Sequence, residues 1–341
     1  MKNRKGALSL LASLALMIVG CLPSGPTETK GGETIKLYGF SILKEVMEKE
    51  IFPAFAAKWK SEHGGDVGFA SSFAGSETVT NQILQGTPAD VAILSIDRDV
   101  TRLAEGKAVT TDWHAYPNKG IVNKTPFVIL VRKGNPKGIR DFPDLGKHGV
   151  QLIHPDPVSS GGAQWSILAI YGSELKKSAA ETGSADPTRA LHTLQTIWKN
   201  IISTPDSARA ARTQFETGYG DALITYELEG LLMKAAGAPI EVVIPKSTIF
   251  SEHPVAPIDR NLTAAKRPIV DAFIKYLWSD EAQRAFVKYH FRSVTNEALN
   301  DANPLFAKIE MPFTVEMFGG WERAYPDIIE KVFIEQVAGT K

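Results

Sequence analysis

The 341-residue chain has a single cysteine, Cys21, and one thiol cannot make an internal disulfide. Stability must therefore come from a substantial apolar core, and 43% of the residues are hydrophobic. An excess of one charge is also missing, with 38 Lys and Arg against 38 Asp and Glu. That balance gives no strongly basic face, so nucleic acid is excluded as a partner. The seven histidines show no His-Glu-x-x-His or comparable spacing, so neither a metal site nor a cofactor is expected. The apolar run near the start, Gly6 to Gly20, has 15 residues. A bilayer span needs roughly 20.

What that run does have is the anatomy of a secretory signal, with Lys2, Arg4 and Lys5 ahead of it as a basic region. It ends in Ile18-Val19-Gly20-Cys21, which resembles the bacterial lipobox, a small residue before a cysteine that becomes the lipidated first residue. Residues 1–20 are read as a signal peptide. Residues 21–33 follow as lipidated Cys21 and a tether rich in Pro, Gly and Thr. Acyl chains on Cys21 would hold a soluble protein at a membrane face, so the expected location is extracytoplasmic, in a periplasm or at a cell surface. Cleavage removes three of the 38 basic residues and none of the 38 acidic ones, leaving a net charge of −3.

Beyond the tether, short apolar strands alternate with amphipathic helices. Thr34–Gly39, Val67–Ala70 and Ala89–Leu94 read as strands, and residues 41–62 as a helix with Val46, Ile51, Phe55 and Trp59 on one face. The alternation continues to residue 245 and argues an α/β fold with parallel sheets. Thr125–Val131 and Ile240–Pro245 are strongly β-branched and stand near the places where the chain could pass between two lobes. From Arg267 onward the pattern is mainly helical, with Ile269, Phe273, Tyr276 and Leu277 on one face.

Four segments combine Gly, Ser and Ala where a strand gives way to a helix: Gly39-Phe-Ser41, Ala74-Gly-Ser76, Ser159-Ser-Gly-Gly-Ala163 and Asp206-Ser-Ala-Arg209. Small residues there let backbone N–H groups approach a ligand, and the helix dipole favours an anion. Any one of them alone reads as an ordinary helix cap. Four in one chain, spread over both halves, point to an anion.

Three longer stretches carry a family resemblance. Leu130-Val-Arg-Lys-Gly-Asn-Pro-Lys137, Ser159-Ser-Gly-Gly-Ala-Gln-Trp165 and Phe313-Thr-Val-Glu-Met-Phe-Gly-Gly-Trp321 resemble the periplasmic sulfate-binding proteins that serve ABC-type sulfate and thiosulfate importers. The similarity runs from about residue 34 to about 325. It implies two Rossmann-like lobes joined by crossover hinge strands, closing over an anion for delivery to ABC permease subunits, in a monomer. The expected lobes are 34–124 with 247–341, and 125–246. By position the resemblance implies Ser76 as a backbone donor at a helix start, with Ser41 near another. It also implies the Ser160 hydroxyl with the amides of Gly161 and Gly162, and a backbone donor at Ala208. Arg209 behind it supports that loop. Tyr226 falls where sulfate binders usually carry a tryptophan.

The donor chemistry suits sulfate, which is fully ionised near neutral pH and offers acceptors only. A tyrosine hydroxyl can donate but can also accept, which indole cannot. Glu77, where the family usually has Gly, is expected to point to solvent as a first-turn acid. Its carboxylate could otherwise accept the proton of hydrogenphosphate, so phosphate or molybdate stays open as the ligand. A rival reading is an enzyme using the same pocket, with His154 six residues before Ser160. The Ser173-x-x-Lys176 pair matches an acyl-transfer pattern but lacks its companion motifs.

Overall fold

The computed structural model describes residues 32–340. Cys21 and the signal sequence lie outside the described residues, as does the tether up to residue 31. The first described strand, β1 (Glu33–Phe40), runs parallel between β2 (Val67–Ala74) and β3 (Val91–Ile93). Helix α1, residues 41–63, joins β1 to β2 and ends where Gly64 takes the left-handed conformation with φ 74°. That geometry is cheap only for glycine. Helices α2 (Ser76–Leu84) and α3 (Asp97–Glu105) follow β2 and β3.

The chain then leaves along β4 (Ile121–Arg132), whose residues 121–126 pair with one strand and 127–132 with two others. A second parallel set is built from β5 (Leu152–Ile153), lying between β6 (Ile201–Ser203) and β7 (Ala222–Tyr226). Its helices are α4 (Gly161–Thr182), α5 (Pro187–Lys199), α6 (Ala208–Glu216) and α7 (Glu227–Ala235). The short β8 (Ile240–Val243) pairs with the end of β4, and β9 (Ser247–Pro257) returns the chain. The strand order is β2-β1-β3-β9-β4-β7-β5-β6, with β4 and β9 antiparallel at the junction of the two parallel sets.

Ile240–Pro245 contains a partly exposed edge strand, and the strand that pairs with both sets is β9, which begins just after it. Its sequence hides this, because Ser247, Thr248, Ser251 and His253 are polar and yet buried. Pairing with β4 is what makes them tolerable. Thr248 Oγ1 donates to Phe127 O and Ser251 Oγ to Thr125 O, each at 2.8 Å. His253 Nδ1 lies 2.5 Å from Asn123 Oδ1 on the facing strand.

Helix α8 (Arg267–Tyr276) packs back on the first half, where Phe273 meets the rings of Phe55 and Phe69 at 5.2 and 5.0 Å. The last stretch does not stay there. Short β10 (Met311–Phe313) pairs in parallel with β9, and the helical residues 321–334 lie over α4 and α5 while Tyr325 also meets Arg98 of α3. Trp321 meets Trp165 edge-on at 4.7 Å, and Phe333 meets Trp198 at 4.5 Å.

Candidate functional site

Three helices begin at the C-terminal ends of strands, where α/β folds collect ligands, and their starts face one another. The first bonded amide of α2 is Val79, to Gly75 O. That of α4 is Ala163, to Ser160 O, and α6 opens with Ala210 N on Ser207 Oγ. The amides of Ser76, Gly161, Gly162 and Ala208 lie ahead of these, with no helix carbonyl behind them. Ser160 is buried at the N-cap of α4, and its side chain makes no cap hydrogen bond.

Contacts between the two halves bring these starts together. Gly75 is buried so closely that a β-carbon there would lie 2.7 Å from Asp206 O and nearer still to Ser159 O. Arg209 N donates to Ser41 Oγ at 3.4 Å. A β-carbon on Gly161 would meet Ser95 Oγ at 3.0 Å, and one on Gly162 would meet the Tyr226 hydroxyl at 2.8 Å. These contacts bring Ser41, Ser76, Gly161, Gly162 and Tyr226 close together, with Ser160 and Ala208 next to them in the chain. Burial raises the pKa of the Tyr226 phenol above its ordinary value, so the hydroxyl keeps its proton.

Ser95, which the sequence did not bring forward, sits at the centre of this network. Its N–H donates to Ser76 Oγ at 2.9 Å, its carbonyl accepts from Trp165 Nε1 at 2.7 Å, and its hydroxyl lies 2.8 Å from that of Tyr226. The available signal was its place just past the buried strand β3.

The carboxylates are turned away from the site or neutralised. Glu77 does not point to solvent: it is 6% exposed and pairs with Arg98 and Arg102. Gln164 Nε2 also donates to Glu77 Oε1 at 3.0 Å. First-turn position alone could not reveal arginines that a neighbouring helix supplies. Asp99 accepts from Ser76 Oγ. Its complete burial, with the charge of Glu77 nearby, pushes its pKa well above the carboxylate range and favours the neutral acid. Burial opposes the charge of Arg209, but Glu229 and Glu45 outweigh it and raise the guanidinium pKa. Arg209 thereby ties α6 to α1 and α7, bonding Glu45 and, at 2.9 Å, Glu229.

His154 is not poised over Ser160. Its ring nitrogens lie 2.5 Å from Ser166 Oγ and 2.6 Å from Pro155 O. Ser173 and Lys176 fall within α4, with Lys176 Nζ donating to Pro312 O. Among the described residues no cluster of His, Cys, Asp or Glu could hold a metal ion, and no helix is long and apolar enough to cross a membrane.

Helix starts from two halves of an α/β fold that meet in this way are the arrangement of a binding protein with its site between two lobes. The chain belongs to the bacterial extracellular solute-binding protein family, whose model matches residues 35–292. It is 31% identical to a sulfate-binding protein of Synechococcus elongatus, over 93% of this chain and 91% of that one. It is 33% identical to a thiosulfate-binding protein of Escherichia coli, over 84% and 86%. Among solved structures it resembles the sulfate-binding protein SubI from Mycobacterium tuberculosis, at 30% identity and a TM-score of 0.77. That match covers 86% of this chain and 98% of the other. The fold is accordingly that of type II periplasmic binding proteins, two Rossmann-like lobes joined by crossover strands.

Proposed function

We propose that this chain is an extracytoplasmic solute-binding lipoprotein that captures sulfate or thiosulfate between its lobes and delivers it to an ABC importer. The observation that carries the reading is the close approach of helix starts from both halves, Gly75 against Ser159 and Asp206 and Ser41 against Arg209, with Glu77 held by two arginines. Such a pocket offers hydrogens to an anion that has only acceptors. Each hydrogen bond to a charged partner contributes about 1.5–3 kcal/mol, and several together offset the desolvation of a dianion without a buried cation. Ser41, Ser76, Ser160, Gly161, Gly162, Ala208 and Tyr226 are the proposed ligand-binding residues, and Arg209 supports their loop. No catalytic step is assigned to them.

In this reading, residues 34–124 and the chain from 247 form one lobe, and 125–246 the other. The segment beyond Met311 touches both, packing on α4 and α5 and setting Tyr325 under Arg98 of α3 at 3.4 Å. Only the closed form completes the anion's hydrogen bonds, which couples binding to closure. The sulfate- and thiosulfate-binding relatives support the ligand, and the lipobox at Cys21 supports anchoring at a membrane. Titration of the purified protein with sulfate, thiosulfate, phosphate and molybdate at pH 5 and 8 tests the ligand. Sulfate or thiosulfate should bind tightest at both, and tighter phosphate at either pH overturns the reading. Small-angle scattering should record compaction when sulfate is added; identical profiles count against closure.

A further inference from the structure

We propose that Ser95 is a specificity-determining residue of the anion site, acting through Tyr226 to keep the pocket donor-only. The inference rests on the anion-binding reading above and concerns how the site tells a fully ionised oxyanion from one that retains a proton. A lone tyrosine hydroxyl is ambivalent, because it can turn its hydrogen to sulfate or accept a hydrogen from a protonated ligand. In this structure it is not alone. Ser95 Oγ lies 2.8 Å from Tyr226 Oη, both residues are 1% exposed, and the pair sits against Gly161 and Gly162.

Ser95 has little freedom to do otherwise. Its N–H is held by Ser76 Oγ at 2.9 Å and its carbonyl by Trp165 Nε1 at 2.7 Å, so its backbone is fixed on both sides of the side chain. Two hydroxyls in contact share one hydrogen bond and leave one O–H over. A dianion beside them selects the arrangement in which the spare hydrogen faces it. The hydroxyl presenting that hydrogen already accepts from its partner, which polarises its O–H into a better donor and a poorer acceptor. The pair then behaves toward the ligand as an indole N–H does. The nearby carboxylates do not undo this, since Glu229 is bound by Arg209 and Arg212, Glu77 by Arg98 and Arg102, and Asp99 accepts from Ser76. The ligand class selected is the tetrahedral dianion with no proton to donate.

At pH 8 sulfate and inorganic phosphate carry nearly the same charge and differ chiefly by one O–H, so their affinity ratio reads this property. Calorimetric titration of the full chain should give a ratio well in favour of sulfate. Ser95→Ala should lower that ratio about tenfold, the worth of one hydrogen bond. Ser95→Cys keeps a side chain of similar volume with a weak S–H donor and should lower it in the same direction. In a Tyr226→Phe background, Ser95→Ala should leave the ratio unmoved, because the effect passes through the tyrosine hydroxyl. A ratio unchanged by Ser95→Ala and Ser95→Cys, or lowered equally in both backgrounds, overturns the role of Ser95 while the sulfate reading stands. Wild-type protein that binds neither anion, or prefers phosphate, overturns both.

Discussion

The two walls of the pocket use the same residue types in opposite ways. On the first wall the serine hydroxyls are already engaged. Ser76 Oγ accepts from Ser95 N and donates to Asp99, so Ser76 has only its backbone to offer a ligand, and Ser41 Oγ accepts from Arg209 N of the facing wall. On the second wall Ser160 stands at an N-cap with its hydroxyl uncommitted to the helix, although Ser207 at the next helix start caps Ala210 N at 3.2 Å. A serine before a helix is thus not one signal. It either closes the helix or is left for something that arrives later.

The contact between the walls gives the largest expected effect. Gly75 has φ −59° and ψ 142°, which any residue can adopt, so Gly75→Ala carries no backbone strain of its own. Its new methyl would press on Ser159 O and Asp206 O across the cleft. Overpacking of this kind costs about 3 kcal/mol at its upper range, roughly a hundredfold in sulfate affinity. Calorimetry should record that loss, with the melting temperature of the ligand-free protein unchanged. Full affinity would falsify the meeting of the walls described above. Ser160→Ala comes next, at about 1.5–3 kcal/mol of binding lost with the fold intact, since it removes one bond to a charged ligand. An unchanged affinity would mean that the second wall also donates through backbone alone.

Ser76→Ala sharpens the contrast from the other side. It leaves the Ser95 N–H without its acceptor and takes from Asp99 its hydroxyl donor, and should cost about 1–3 kcal/mol of stability in denaturant unfolding. Sulfate affinity should change by less than about threefold, because the Ser76 amide survives at the helix start. A loss of binding as large as that of Ser160→Ala would erase the distinction between the walls.

How much of this could be read beforehand follows the range of the interactions. The alternation of strands and helices is local, and so is the clustering of Gly, Ser and Ala at helix starts. Both walls were therefore legible as segments. What each serine does was not. The partner of Tyr226 is Ser95, 131 positions away, and the arginines that neutralise Glu77 follow it by 21 and 25. Strand β9 was hidden for the same reason, since its buried Thr248, Ser251 and His253 look like loop residues until β4 lies beside them. The family resemblance supplied the site positions that local pattern could not, and left open how Tyr226 would be used.

The smallest expected effect lies between the walls, on β9. His253 is fully buried beneath Phe40 and Tyr226, with ring centroids 4.5 and 5.8 Å away, and burial pushes its pKa from 6.5 down to about 3. The folded protein therefore stays unprotonated at His253 while the unfolded chain takes up a proton below pH 6.5. Its contribution to stability is complete above that pH and is lost as pH falls toward 3. Between pH 7 and 6 the loss is about 0.7 kcal/mol, rising to about 1.4 kcal/mol per pH unit lower down. Asp99, with its raised pKa, acts with the opposite sign and loses its contribution as pH rises, so it offsets part of this slope. Unfolding midpoints at pH 7 and 6 should differ less in His253→Gln than in the wild type, and an equal difference would place the acid sensitivity elsewhere. Sulfate affinity over the same interval should stay level. The amides of both walls do not titrate, and the Tyr226 phenol is held in its neutral form by burial.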